Sequence, residues 1–187
     1  MSSTAHTSST PDTAGQPDPS DPSDPVSAVR VALVTGGSGG IGRAVSERLA
    51  AAGMSVVVHY AGNPDRAKET VAAIEQAGGT ATALQADIAD EAEVAALFDQ
   101  TEAAYDGIDV LVNTAGIMLL SPLAELDLAD FDRMHRTNVR GTFIVSQQAA
   151  RRVRSGGAII NFSTTITKLA LPTYSTPRPR APSTRSS

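Results

Sequence analysis

The sequence predicts an α/β fold, a doubly wound parallel sheet with helices on both faces and the strand order 3-2-1-4-5. Three observations carry this. Short apolar runs alternate with segments whose apolar residues recur at helical spacing, strand then helix, from Val31 to Phe162. The first run, Val31 to Val34, ends in Thr35 and a cluster of glycines, after which Ile41, Val45 and Leu49 recur four residues apart. The connections are short and punctuated by Gly-Gly, Asn-Pro and Asp signals. Parallel strands joined by right-handed crossovers give the stated order.

Each element has its own warrant. Residues 1–28 are Ser, Thr, Pro and Asp with almost nothing apolar, and such a segment cannot offset its ordering entropy, so a disordered tail is expected there. The glycines after Thr35 permit positive φ and let backbone N–H groups approach an anion lying on a helix N-terminus. By itself such a turn also has a reading as an ordinary loop, the lesser of the two. Gly53 closes the first helix, and Met54 to Tyr60 forms the second strand. Asn63 is an N-cap with Pro64 at the first helical position, and Val71, Ile74 and Ala77 supply the buried stripe. Thr82 to Ala86 is a short third strand, followed by Asp90 and Glu93 as a capping box for a helix carrying Val94, Leu97 and Phe98. Asp109 to Asn113 is the fourth strand. Asp127 caps one long helix reaching about Arg152, with Phe131, Met134, Phe143 and Ala149 among its apolar positions. Within it Asn138 and Gly141 are poor helix formers, a local inconsistency of the kind functional sites produce. Gly156-Gly157 turns into the fifth strand, Ala158 to Phe162.

Composition narrows the function classes. The chain has 187 residues, 41% of them hydrophobic, enough for one compact domain with tails. Its net charge of −5 argues against nucleic acid as a partner, since no basic stripe is available for phosphates. Without cysteine, and with His6, His59 and His135 scattered, no metal site is expected. No apolar run reaches membrane-span length and the N-terminus lacks a signal-peptide core, so the expectation is a cytoplasmic protein with no membrane partner.

Four motifs share one order and spacing: Thr35-Gly36-x-x-x-Gly40-Ile41-Gly42, Asn113-x-Ala115-Gly116, Asn138-Val-x-Gly-x-Phe143, and a fifth strand ending in Ser163-Thr164. Together they resemble the short-chain dehydrogenase/reductase family, and within it most the 3-oxoacyl-carrier-protein reductase and glucose dehydrogenase group. The resemblance covers Val31 to about Tyr174. It implies a Rossmann domain and an NAD(P)-dependent oxidoreductase acting on a small-molecule carbonyl or alcohol, with a homotetramer as the usual assembly. It further implies cofactor contacts at Thr35, Gly36, Ser38, Gly40, Ile41, Gly42, Tyr60, Asn63, Asp87, Ile88, Asn113, Ala115 and Gly116. Asp87-Ile88 would lie against the adenine, and Asn113 would tie neighbouring strands. Asn138 would distort its helix and hold a water of the proton relay, and either Ser163 or Thr164 would polarise the carbonyl. At the end of the second strand an acidic residue would accept the ribose 2′-hydroxyl of NAD, but His59-Tyr60-Ala61-Gly62-Asn63 offers none, so NADP is favoured over NAD. Arg43 would add positive charge there, or is simply a solvated helix-surface arginine.

The chain also departs from the family. No Tyr-x-x-x-Lys is present: Tyr174 is followed by Arg178, a rigid fork of different reach from lysine. Pro177, Pro179 and Pro182 forbid the helix that carries the motif. The expectation is an incomplete nucleotide-binding domain at 29–174 and a disordered basic tail at 175–187, the tail being the product of a frameshift that removes the C-terminal strands and leaves the tetramer interface incomplete. Three functions remain open: an oxidoreductase whose chemical half is lost, a non-catalytic nucleotide-binding remnant, and a regulatory module using Arg178, Arg180 and Arg185.

Overall fold

The computed structural model describes residues 29–163. Its order is β1 Val31–Thr35, α1 Gly40–Ala51, β2 Ser55–Tyr60, α2 Pro64–Gln76, β3 Thr80–Gln85, α3 Glu91–Tyr105, β4 Ile108–Asn113, a 3₁₀ turn Leu123–Glu125, α4 Leu128–His135, a π-helical turn Arg136–Gly141, α5 Thr142–Arg152 and β5 Val153–Asn161. The five strands form one parallel sheet in the order β3-β2-β1-β4-β5, as the alternation of strand and helix predicts.

The central strands β1, β2 and β4 are buried on both faces, which is why they read as nearly unbroken apolar runs, whereas β5 at the edge is largely exposed. Alternate residues of β1 serve opposite cores. Leu33 joins Val57, Leu97, Phe98, Leu111 and Val145 on the side covered by α3 and α5. Ala32 and Val34 join Val56, Val58, Ala67 and Ile74 on the side covered by α1 and α2. Phe98 is fully buried, and Arg152 stacks its guanidinium 5.9 Å from the ring centroid while pairing with Asp99 and Glu102. Burial of such a side chain contributes roughly 1.5–3 kcal/mol.

Several local expectations are corrected. On α1 the fully buried residues are Gly42, Ser46 and Ala50, while of the apolar row Val45 and Leu49 pack partly buried against the same core and Ile41 is 61% exposed. Small residues win that face because the helix must lie hard against the turn that precedes it. Asp90 does cap α3, accepting from the Ala92 and Glu93 N–H groups at 2.9 and 3.0 Å, but Glu93 accepts instead from the Asp87 N–H at 2.6 Å, so the box is half formed. The long helix is interrupted by the π-helical turn carrying Asn138 and Gly141, and Phe131 and Phe143 face outward at 40% and 65% exposure. Here Ile144, Val145 and Ala149 make the core face.

Gly156 and Gly157 lie inside β5, which follows α5 directly at Val153. Register shifts between the Ile108 and Val110 pairings, and a Cβ on Gly157 would stand 2.3 Å from the Asp109 carbonyl oxygen. These glycines form a bulge in the strand.

Candidate functional site

Two adjoining clefts open at the carboxyl ends of the strands. One, of 470 Å³, is lined by Gly36, Ser38, Gly39, Gly40, Ile41, Gly42, Thr114, Ala115 and Gly116. The other, of 520 Å³, shares Gly36, Ser38, Ala115 and Gly116 with it and continues past Tyr60, Ala61, Gly62, Asp87, Ile88, Arg133 and Arg136. They make one groove across β1, where the chain leaves β1 for one side of the sheet and β4 for the other, the position at which doubly wound sheets bind ligands.

The glycine turn is built by close approach. Gly36 has φ +66°, and a Cβ there would stand 2.9 Å from the Ala115 Cα. A Cβ on Gly42 would stand 2.2 Å from the Gly36 carbonyl oxygen, whereas one on Gly40 meets nothing within 4 Å and would project into open space. The N-terminus of α1 has no side-chain cap and no acid in its first turn, while Asn63, Asp90 and Asp127 cap α2, α3 and α4. The first-turn N–H groups of a helix lack intrahelical partners, and here they face the cleft with the positive end of the dipole.

Asp87 forms the far wall. Partial burial pushes its carboxyl up, but the Ala89 N–H at 2.9 Å and the Arg136 guanidinium at 2.6 Å outweigh that and hold it below the usual carboxylate range. Asn63, expected beside the cofactor, spends its side chain on the N–H groups of Asp65 and Arg66, both at 3.1 Å. Arg43 pairs with Glu47 at 2.7 Å on the outer surface of α1.

Beneath the groove lies a polar chain that starts buried at Thr35 and Asn113 and runs out to the exposed Asn161. The Thr35 hydroxyl donates to Asn113 Oδ1 and accepts from the Ala115 N–H at 3.3 Å. Asn113 Nδ2 donates to Asn161 Oδ1 at 3.3 Å, which also accepts from the Ser146 hydroxyl. Thr35 and Asn113 are thus structural pins under the groove, at 0% and 4% exposure.

These features coincide with a known family. The family model for short chain dehydrogenases matches residues 30–176. The chain belongs to that family.

Among curated short-chain dehydrogenase relatives, elsinochrome reductase 1 of Elsinoe fawcettii is 43% identical over 129 residues, which is 69% of this chain and 48% of that protein. The uncharacterized oxidoreductase YgfF of Escherichia coli is 42% identical over 147 residues, 75% of this chain and 60% of that protein. A short-chain dehydrogenase from Burkholderia cenocepacia, solved in complex with NADP, is 42% identical with a TM-score of 0.72, covering 76% of this chain and 58% of that one. The chain therefore spans about half the length of the curated relatives it matches.

In this family member, Asn138 sits on the π-helical turn and grips both backbone groups of one residue in the loop after β4: it accepts from the Ile117 N–H at 2.8 Å and donates to the Ile117 carbonyl at 2.7 Å. Asn138→Asp keeps the acceptor but turns a carboxylate against that carbonyl. It is expected to raise amide exchange across residues 117–120 about tenfold and to do so more than Asn138→Ala, whereas equal exchange in all three proteins would show that the grip is idle. Ser163 is exposed just past β5, and the Phe162 N–H bonds the Asn113 carbonyl at 3.2 Å. Thr164 lies outside the described residues.

The sequence did not single out His59, Thr114, Arg133, Arg136 or Asn161 as parts of the site. Thr114 donates to the Thr35 carbonyl at 2.6 Å and holds the strand end that the glycines approach. Arg136 and Asp87 are 49 residues apart, a separation that no local pattern reports. Among the described residues no group of three His, Asp or Glu side chains could hold a metal ion, and no helix is long and apolar enough to cross a membrane.

Proposed function

We propose that the groove binds a nicotinamide dinucleotide, NADP(H) in preference to NAD(H), and that a small carbonyl or alcohol compound is the co-substrate. The observation that carries this is the uncapped N-terminus of α1 beside a turn whose glycines leave no Cβ in the way. A pyrophosphate fits that donor set, since backbone N–H groups and the helix dipole both favour an anion. On this reading Gly36, Ser38, Gly40, Ile41, Gly42, Ala115 and Gly116 receive the phosphates and ribose, and Tyr60, Asp87 and Ile88 enclose the adenosine end. Preference for NADP is supported by the absence of a carboxylate from Tyr60 to Asn63, by Arg133 and Arg136 along the same wall, and by the NADP bound to the Burkholderia relative.

When bound, the dinucleotide supplies or accepts the hydride. The chain's own contribution is positional: Asn138 fixes the loop after β4 at the nicotinamide end, and the hydroxyl of Ser163 or Thr164 donates a hydrogen bond to the substrate oxygen. A tyrosine followed by lysine at the required spacing is not among these 187 residues. The 187-residue polypeptide is therefore expected to bind the cofactor yet to turn over slowly, since loss of a general acid costs about 10²–10⁴-fold. Fluorescence titration with NADPH and NADH, run beside a ketone-reduction assay, tests this. Tighter NADPH binding with negligible reduction is the expected result; no binding of either nucleotide overturns the cofactor assignment, and ordinary turnover overturns the impairment.

A further inference from the structure

His59 is 1% exposed at the end of an apolar strand, where a polar ring must be fully hydrogen-bonded to be tolerated. Its partners fix its chemical form. Nε2 lies 2.9 Å from the Ala86 carbonyl oxygen, which can only accept, so Nε2 carries the proton. Nδ1 is then the bare nitrogen, and it accepts from the Gly36 N–H at 3.1 Å. The His59 backbone carbonyl accepts from the Gly37 N–H at 2.9 Å. One residue thus captures two successive N–H groups of the glycine turn and also holds the residue before Asp87.

Those contacts join the two walls of the groove. Gly36 opens the turn that leads to the α1 N-terminus, and Ala86 leads into Asp87 and Ile88 on the far wall. We infer that His59 is a positioning residue for the cofactor, its neutral ring holding the glycine turn at a fixed distance from the Asp87 wall, and that protonation of the ring in mild acid lets the turn go and weakens nucleotide binding. This rests on the nucleotide reading of the groove.

The reason is a count of donors. A charged imidazole carries N–H on both nitrogens, so Nδ1–H would face the Gly36 N–H, donor against donor, and that bond is lost. Around the ring, Asp87 contributes attraction for a proton, blunted by its pairing with Arg136, and Glu93 lies one contact further out on the Asp87 N–H. The two groups the ring itself touches, the Gly36 N–H and the Ala86 carbonyl, are uncharged backbone. Burial is the larger influence and holds the imidazole below its ordinary range, against the Ala86 carbonyl and Asp87. The folded state therefore favours the neutral ring. Its contribution is complete above the ordinary histidine value of about 6.5 and is lost as pH falls from there through the lowered value.

The test compares the full chain with His59→Gln, whose amide can accept from Gly36 and donate to Ala86 but does not titrate. NADPH affinity is measured by fluorescence from about pH 8 to about pH 5.5. The 2′-phosphate itself titrates near pH 6, about equally for both proteins, so the quantity read is the ratio of their dissociation constants. Because the ring's value lies below about 6.5, the wild-type constant is expected to rise more steeply than that of the variant, by about two- to fourfold at the acid end of this range. Equal acid dependence in the two proteins overturns the inference. Independently of any ligand, NMR of the isotopically labelled imidazole should show the Nε2–H tautomer near neutrality, with the Gly36 amide shifting at the ring's midpoint. An Nδ1–H ring, or a Gly36 amide indifferent to the titration, also overturns it. If the wild type binds no NADPH near pH 8, the cofactor assignment fails instead, and the NMR titration still decides the link from His59 to Gly36.

Discussion

Gly42→Ala is expected to lower NADPH affinity by more than about a hundredfold and to destabilise the fold by roughly 2 kcal/mol. Alanine is ordinarily the better helix residue, by up to about 1 kcal/mol, so the sign has to be decided by contacts. A Cβ at this position would lie 2.2 Å from the Gly36 carbonyl oxygen, 2.7 Å from the Gly36 carbonyl carbon and 2.7 Å from the Thr114 hydroxyl. Two of those atoms are backbone and cannot swing aside. Relief requires α1 to retreat from the glycine turn, which carries the first-turn N–H groups away from the cleft. Gly40→Ala separates the two effects: its Cβ meets nothing within 4 Å, so the melting temperature should hold or rise, while NADPH affinity falls at least about tenfold because the new methyl occupies cleft space. Thermal melts and NADPH titrations of both variants read this out. Undiminished binding by Gly40→Ala would remove the pyrophosphate from the α1 N-terminus.

The contrast between these glycines also shows what the sequence discloses. Spacing alone placed Gly36, Gly40 and Gly42 on a turn from strand to helix, because a tight turn and a close helix each demand a missing Cβ at a fixed offset. Continuous apolar runs such as Val31 to Val34 and Val56 to Val58 announce buried strands, and Asn63 and Asp90 announce helix starts through local hydrogen bonds that the structure contains. All of these are local causes with local signatures.

What the sequence hid depends on partners far away in the chain. The apolar row Ile41, Val45 and Leu49 announces α1, and Val45 and Leu49 do pack on the core, but it does not report that the deepest row is Gly42, Ser46 and Ala50, which the neighbouring turn and sheet demand. The π-helical turn at Asn138 depends on the backbone of Ile117, and the Asp87–Arg136 pair on two separate elements. His59 looked like one of three scattered histidines; its role follows only when the end of β2 is placed between Gly36 and Ala86. Polar residues inside apolar strands were the available signal. A buried imidazole without a charge partner in sequence has to be satisfied by backbone from its neighbours in space, and the strand ends are where free backbone groups occur.

The same logic makes Asn113 the second large lever. Asn113→Ala is expected to cost about 3 kcal/mol and to weaken NADPH binding, although the side chain lines neither cleft. At 4% exposure it accepts from the Thr35 hydroxyl and donates to Asn161 Oδ1, so it crosses from β1 to β5 through β4. Truncation strands the Thr35 hydroxyl as a buried donor, opens a small void and frees the Ala115 end of β4, which is a wall of the groove. An unsatisfied buried group costs about 1–3 kcal/mol, more than the bond itself contributes, so the penalty should be partly reversed by removing the other partner. Thr35→Val together with Asn113→Ala is accordingly expected to be less destabilised than the two single changes added, by about 1–2 kcal/mol. Denaturant melts of the four proteins give the coupling directly. Strict additivity would mean that the two side chains do not act as one unit, and an Asn113→Ala protein with wild-type NADPH affinity would uncouple the pins under the sheet from the groove above it.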